Sequence, residues 1–175
     1  MDGIARDEIL DFLRRLGERY HGSGTLFLLG GSALCMLGNP RRTLDIDYMA
    51  ESPSGETTEL QTAAESLAAE MKLELEAVPL NEFIPLPDDA NMRHRLVGQF
   101  GGLTVYVYDL YSIALSKTAR GFETDLQDVL FLLRQGLITL EQLEAHVAAA
   151  LPYAAQFDIV PDELRQHLDG IRRLV

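Results

Sequence analysis

Apolar residues near the start of the chain recur at two different spacings. Between residues 9 and 20 they recur every three or four positions, which predicts an amphipathic helix over residues 4–20. A short apolar run bounded by glycines predicts a buried strand at residues 25–29. A short helix at residues 32–37 is predicted next, followed by a half-buried strand at residues 44–49, where apolar and acidic positions alternate.

The rest of the chain predicts a few more strands and then only helices. A helix from Thr58 and a strand at residues 73–78 precede residues 79–91, which contain three prolines and are predicted to be mostly loop. The Gly101-Gly102 pair predicts a hairpin between strands at 93–100 and 103–108. Helices are predicted at residues 110–120, 124–134, 139–151 and 161–174. This order predicts an α+β fold, a mixed sheet flanked by helices with a C-terminal helical tail.

Three of the predicted helices begin with the sequence Thr-x-x-Gln. In a capping box, the threonine hydroxyl and the glutamine side chain satisfy backbone N–H groups of the first helical turn. We therefore expect capping boxes at Thr58, Thr124 and Thr139.

Composition narrows the possible partners. The 175 residues are 47% hydrophobic, which is enough for a packed core, and carry a net charge of −12 with only 15 Lys and Arg residues. Nonspecific DNA binding requires many basic contacts to phosphates, so we do not expect it. A single cysteine, Cys35, a start unlike a signal peptide and the lack of a long apolar stretch predict a cytoplasmic protein without a membrane segment.

The first chemical signal is the sequence Asp45-Ile46-Asp47. Side chains two apart on a strand share a face, so we expect the two carboxylates to project together while Leu44 and Ile46 face the core. Adjacent carboxylates repel unless a cation lies between them. Hard oxygen ligands suit Mg²⁺ or Mn²⁺, which completes its shell with water and phosphates.

The second signal is Gly30-Gly31-Ser32, where a strand turns into a helix. The first N–H groups of that helix form an anion site, Ser32 adds a hydroxyl donor, and the glycines have no Cβ to obstruct a phosphate. Either signal alone is common in proteins without such a site. Together on successive strands, they favour phosphoryl or nucleotidyl transfer.

These two sequences resemble the signature of the DNA-polymerase-β nucleotidyltransferase superfamily. Thr43, which precedes the aspartates, and Arg41 or Arg42 just ahead of it sharpen the similarity to the AbiEii-like branch of abortive-infection and toxin–antitoxin proteins. The resemblance implies a nucleotidyltransferase domain at residues 1–135 with a helical extension at 136–175 packed on it. It also implies binding of a nucleoside triphosphate at Gly30, Gly31, Ser32, Arg42 and Lys117. The nucleotide would pass to a hydroxyl of tRNA or protein, and the implied partner is a cognate antitoxin.

Lys117, Asp125 and Asp128 resemble a later motif of the same branch. Lys117 lies on an otherwise apolar helix face, so its ammonium either reaches water along the core or contacts a carboxylate or a phosphate. By resemblance, Lys117 offsets triphosphate charge and Asp125 belongs to the site. Asp128 is a weaker candidate.

A third carboxylate is expected because enzymes of this superfamily often use one as general base and second metal ligand. Asp109, at the end of a predicted strand, is a candidate metal ligand, but its position also suits an N-cap. If it is a cap, Asp125 is the alternative.

Two other functions fit parts of the sequence. A nucleotidyltransferase fold without activity would act in nucleotide sensing or partner binding, and the uncertain third carboxylate favours it. A glycosyltransferase would use Asp45-Ile46-Asp47 as a nucleotide-sugar metal motif, but it usually needs more chain before that motif than the 44 residues present here.

Overall fold

The computed structural model describes residues 3–175, and the chain forms two compact units. The first contains residues 3–78 and 95–108, and the second contains residues 79–94 and 109–175. The chain therefore leaves the first unit after residue 78, returns for a hairpin and leaves again after Tyr108.

The first unit is built on a five-stranded mixed sheet in the order β3-β2-β1-β5-β4. The central strand β1 pairs antiparallel with β2 and parallel with β5, while β2 pairs parallel with β3 and β4 antiparallel with β5. Its elements in chain order are α1 (Arg6–Arg19), β1 (Gly24–Leu28), α2 (Gly30–Met36), β2 (Asp45–Glu51), α3 (Thr58–Met71), β3 (Glu74–Ala77), β4 (Arg95–Phe100) and β5 (Leu103–Val107).

The hydrophobic core of this unit follows the predicted periodicities. α1 buries Phe12 and Leu16, one helical turn apart, and its charged face stays in solvent. β1 and β5 are central strands, so both contribute fully buried residues such as Leu26 and Val105. α3 supplies Leu60 in the same way. The predicted hairpin about Gly101-Gly102 is confirmed by the pairing of β4 with β5.

The second unit is helical. After the short α4 (Leu80–Phe83) and a 3-10 turn at Ala90–Met92, it continues with α5 (Leu110–Arg120), α6 (Glu123–Arg134), α7 (Leu140–Ala150), a 3-10 helix at Leu151–Phe157 and α8 (Pro161–Arg172). α5 contacts α6, α7 and α8. The predicted boundary at residue 135 lies inside this unit, between α6 and α7.

The predicted α+β architecture is confirmed, but several local predictions are wrong. α3 begins after Thr57 and α6 after Phe122, neither with a side-chain cap, so the boxes at Thr58 and Thr124 do not form. Of these three threonines, Thr139 alone caps its helix, accepting from the Gln142 N–H at 3.3 Å. None of the helices within residues 3–175 combines the length and apolar character needed to cross a lipid bilayer.

Candidate functional site

The strand β2 presents two carboxylates on one face. Along it, half-buried Asp45 and Asp47 alternate with fully buried Ile46 and Tyr48, so the aspartates share the face opposite the core. The expectation that Leu44 faces the core is wrong, because the strand begins only at Asp45 and the Leu44 side chain is 75% exposed.

A third carboxylate lies beside this pair, and sequence reasoning missed it. β3 runs parallel to β2 with Glu76 opposite Asp47. One carboxylate oxygen from each of Asp45, Asp47 and Glu76 lies within 4.8 Å of the other two. The alternation Leu73-Glu74-Leu75-Glu76 in a predicted strand was the available signal, but choosing Glu76 required the register between two strands that are distant in sequence.

The glycine turn touches this carboxylate cluster. Gly30 has φ +48°, in the left-handed region, and a Cβ placed there would lie 1.8 Å from Asp47 Oδ2. Gly31 is equally confined, since its Cβ would lie 2.3 Å from the Thr43 hydroxyl oxygen. Only glycine therefore allows the turn to approach Asp47 this closely. The turn also begins α2, whose first N–H groups have no acceptor within the helix.

The Ser32 hydroxyl stabilises this turn through hydrogen bonds to the backbone. It is fully buried and lies 2.8 Å from the Leu29 carbonyl and 3.0 Å from the Asp47 carbonyl, to which it donates. The Asp47 carbonyl also accepts from the Leu29 N–H at 3.0 Å. These bonds fix β2 to the turn. In this structure the Ser32 hydroxyl donates to backbone carbonyls, and its role as a phosphate donor stays a prediction.

Arg42 lies in the first unit, on the segment that leads into β2. Its Nη2 contacts Glu8 Oε2 at 2.6 Å, and its Nε donates to the Gly3 carbonyl at 2.9 Å. The side chain is 49% exposed. To bind a nucleotide as predicted, the Arg42 guanidinium would have to break its ion pair with Glu8 or bind both partners at once.

Lys117, Asp125 and Asp128 form a buried ionic cluster in the second unit. The Lys117 ammonium lies 3.1 Å from Asp125 and 2.8 Å from Asp128, and no member is more than 4% exposed. Arg120 contacts Asp125 from the more exposed side at 2.6 Å. The sequence allowed the Lys117 ammonium to reach water, a carboxylate or a phosphate, and in the structure it contacts carboxylates.

Asp109 caps α5, as its position suggested. Its carboxylate is fully buried and accepts from the Ser112 N–H at 3.0 Å and from Arg93 at 2.7 Å. Burial raises the pKa of Asp109, but the hydrogen bonds from Arg93 and Ser112 outweigh it, and the pKa falls below its usual value. The same bond to Asp109 raises the pKa of Arg93. Asp109 is not among the carboxylates clustered around β2.

One family model covers most of the chain. Residues 7–165 match a family model described as a nucleotidyltransferase of unknown function, DUF6036. The chain belongs to this nucleotidyltransferase family. No curated protein and no solved structure matches the chain.

The donor set around β2 fits the divalent cation that a nucleotidyltransferase of this kind would hold. Three carboxylates at this spacing repel one another, and a cation among them removes that repulsion. Carboxylate oxygens are the ligands that Mg²⁺ prefers, and its remaining positions go to water and substrate phosphates. The adjoining glycine turn would offer backbone N–H groups to those phosphates. The first unit thus places a cluster of carboxylates directly beside a glycine turn.

Proposed function

We propose that this chain transfers a nucleoside monophosphate from a nucleoside triphosphate to a hydroxyl group of RNA or protein. In the reaction the acceptor oxygen bonds to the α-phosphorus, the bond from that phosphorus to the β-phosphate oxygen breaks, and pyrophosphate leaves. The observation that carries the proposal is the cluster of Asp45, Asp47 and Glu76 directly beside the Gly30 turn.

Each part of the first unit has a role in this proposal. Asp45, Asp47 and Glu76 would hold Mg²⁺ or Mn²⁺, which neutralises phosphate charge and activates the attacking oxygen when bound. Gly30 and Gly31 would place backbone N–H groups against the triphosphate. A carboxylate of the cluster would accept the proton of the acceptor hydroxyl.

The residues of the second unit receive supporting roles. Lys117 and Asp125 are buried and bonded to each other, so we assign them to fixing α5 against α6 rather than to phosphate contact. Asp109 is engaged by Arg93 and Ser112, so we assign the third metal position to Glu76.

A labelled-transfer experiment tests the proposal. The chain is incubated with Mg²⁺ and each of four α-labelled nucleoside triphosphates, with bulk tRNA or with the protein alone as acceptor. We expect label transfer, reduced about 100-fold or more in Asp47→Asn and Glu76→Gln because a metal ligand contributes several kcal/mol to the transition state. Glu74→Gln is the matched control, since Glu74 lies on the same strand but outside the cluster.

Metal binding is measured separately by calorimetry with Mn²⁺. Glu76→Gln should weaken it by at least about tenfold, the loss that even an outer partner of a metal site causes. Glu74→Gln should bind normally. Equal metal affinity in the two variants would refute the assignment of Glu76, and metal and triphosphate binding without any transfer would favour the inactive module.

The resemblance to the AbiEii-like branch supports a narrower proposal, a toxin with a cognate antitoxin as partner. Production of the chain should then arrest growth, while Asp47→Asn should not. Co-production of the product of the neighbouring gene should relieve the arrest. Growth unaffected by the active chain would refute the toxin role and leave nucleotidyl transfer intact.

A further inference from the structure

A cavity of about 510 Å³ lies wholly within the second unit, and its lining contains none of the residues assigned above. It is formed by the proline-rich segment 85–89, by α5 and α7 and by the 3-10 helix Leu151–Phe157. Its apolar lining includes Leu115, Tyr153 and Phe157. The volume is within the range of small-molecule sites, about 300–1,000 Å³.

The two charged residues that line this cavity are both acidic. Asp88 and Asp89 lie in its lining and are exposed, and within the part of the chain that the structure describes no Lys or Arg lines it. Arg93 contacts Asp89 at 2.5 Å but also binds Asp109, so one positive charge is divided between two carboxylates. Among the described residues, Asp88 has no ion-pair partner. The carboxylates of the lining therefore favour a cation over an anion.

A polar side chain without charge completes the lining. His146 stacks on Tyr111 with ring centroids 4.9 Å apart. Burial, and then the nearby Arg93, lower the pKa of His146, so its imidazole is neutral at neutral pH. It offers a hydrogen-bond acceptor or donor without adding positive charge.

We propose that this cavity binds a small organic cation, a protonated amine carried on an apolar or aromatic body. The carboxylates of Asp88 and Asp89 accept from the ammonium group, and the body packs against Tyr153 and Phe157, whose ring faces also attract a cation. The volume of about 510 Å³ favours a small molecule over a peptide, which usually occupies an elongated groove. This site is independent of nucleotidyl transfer.

A titration of the ¹⁵N-labelled full chain followed by NMR tests the proposal. The probes are phenethylamine, its neutral analogue 2-phenylethanol, the anion 3-phenylpropionate and spermidine, which is a cation without an aromatic body. The variants are Ala149→Phe, which adds a large side chain to the cavity lining, Asp88→Asn, and Glu163→Gln, which removes an exposed carboxylate elsewhere on the second unit.

We expect saturable shifts from phenethylamine at residues 85–89 and 146–157, with weaker binding of the alcohol and none of the anion. Asp88→Asn should weaken phenethylamine binding by about threefold, as for an exposed ion pair. Ala149→Phe should abolish it, and Glu163→Gln should leave it unchanged. Absence of saturable shifts, equal binding of amine and alcohol, or equal effects of Glu163→Gln and Asp88→Asn would overturn the proposal. Spermidine producing the same shifts would also overturn it, because acidity alone would then explain binding.

Discussion

Replacing Lys117 by methionine separates a structural lysine from a phosphate-binding one. Methionine keeps most of the length of the side chain and removes the charge. In the structure the ammonium lies between Asp125 and Asp128, at 3.1 Å and 2.8 Å, in surroundings that leave it only 4% exposed. The variant therefore retains two buried carboxylates without the cation between them.

The expected loss of stability is large. Removing one partner of a buried ion pair costs about 3–5 kcal/mol, because the remaining charge stays buried and uncompensated. Arg120 still contacts Asp125 at 2.6 Å, so we expect a value near the lower end, about 3 kcal/mol. Since folded domains are stable by only about 5–15 kcal/mol, this is a substantial fraction of the total.

Urea unfolding followed by circular dichroism measures the effect. The control is Arg165→Met, which removes an exposed ion pair with Asp162 in the same unit and should change stability by less than about 0.5 kcal/mol. Triphosphate affinity is measured below the unfolding transition, and Lys117→Met should retain it. A variant as stable as Arg165→Met that no longer binds triphosphate would refute the structural role and support direct phosphate contact.

Three further substitutions have defined outcomes. Gly30→Ala places a side chain in the left-handed region and against Asp47 Oδ2. We therefore expect the unfolding free energy to fall by at least about 1 kcal/mol and Mn²⁺ binding, measured by calorimetry, to weaken. Unchanged values of both would contradict the close packing of the turn. Asp109→Asn should cost about 3 kcal/mol at pH 7 in urea unfolding. The pKa of Asp109 is lowered from 3.8, so the ionised carboxylate stabilises the native state above that value. The difference in unfolding free energy between the variant and the wild type should therefore narrow as the pH falls below it. A difference that does not depend on pH would refute this. Tyr48→Phe should leave the melting temperature unchanged or raise it, because the buried Tyr48 hydroxyl has no hydrogen-bond partner among the described residues, and a marked fall would show a hidden partner.

Most of the features that could be predicted from the sequence depend on residues that are close to one another along the chain. The helix-to-strand changes in apolar spacing located the elements of both units, because burial imposes periods of 3.6 and 2 on the chain. The Gly101-Gly102 hairpin is local for the same reason. Helix starts were less predictable, since the Thr-x-x-Gln sequence occurs at Thr58, Thr124 and Thr139 and only the last forms a side-chain cap.

The candidate site likewise contains residues that sequence patterns identify and residues that only the fold brings together. Asp45, Asp47 and the glycine turn are visible as short patterns, and their chemistry follows from residue type and from alternation along one strand. Glu76 joins them only through the register of two parallel strands that are separated by a helix. The buried pairing of Lys117 with Asp125 and of Arg93 with Asp109 likewise depends on packing between elements. The sequence thus determined which groups could do chemistry, and tertiary structure decided which of them meet, because distances between distant segments are set by the packing of the whole unit.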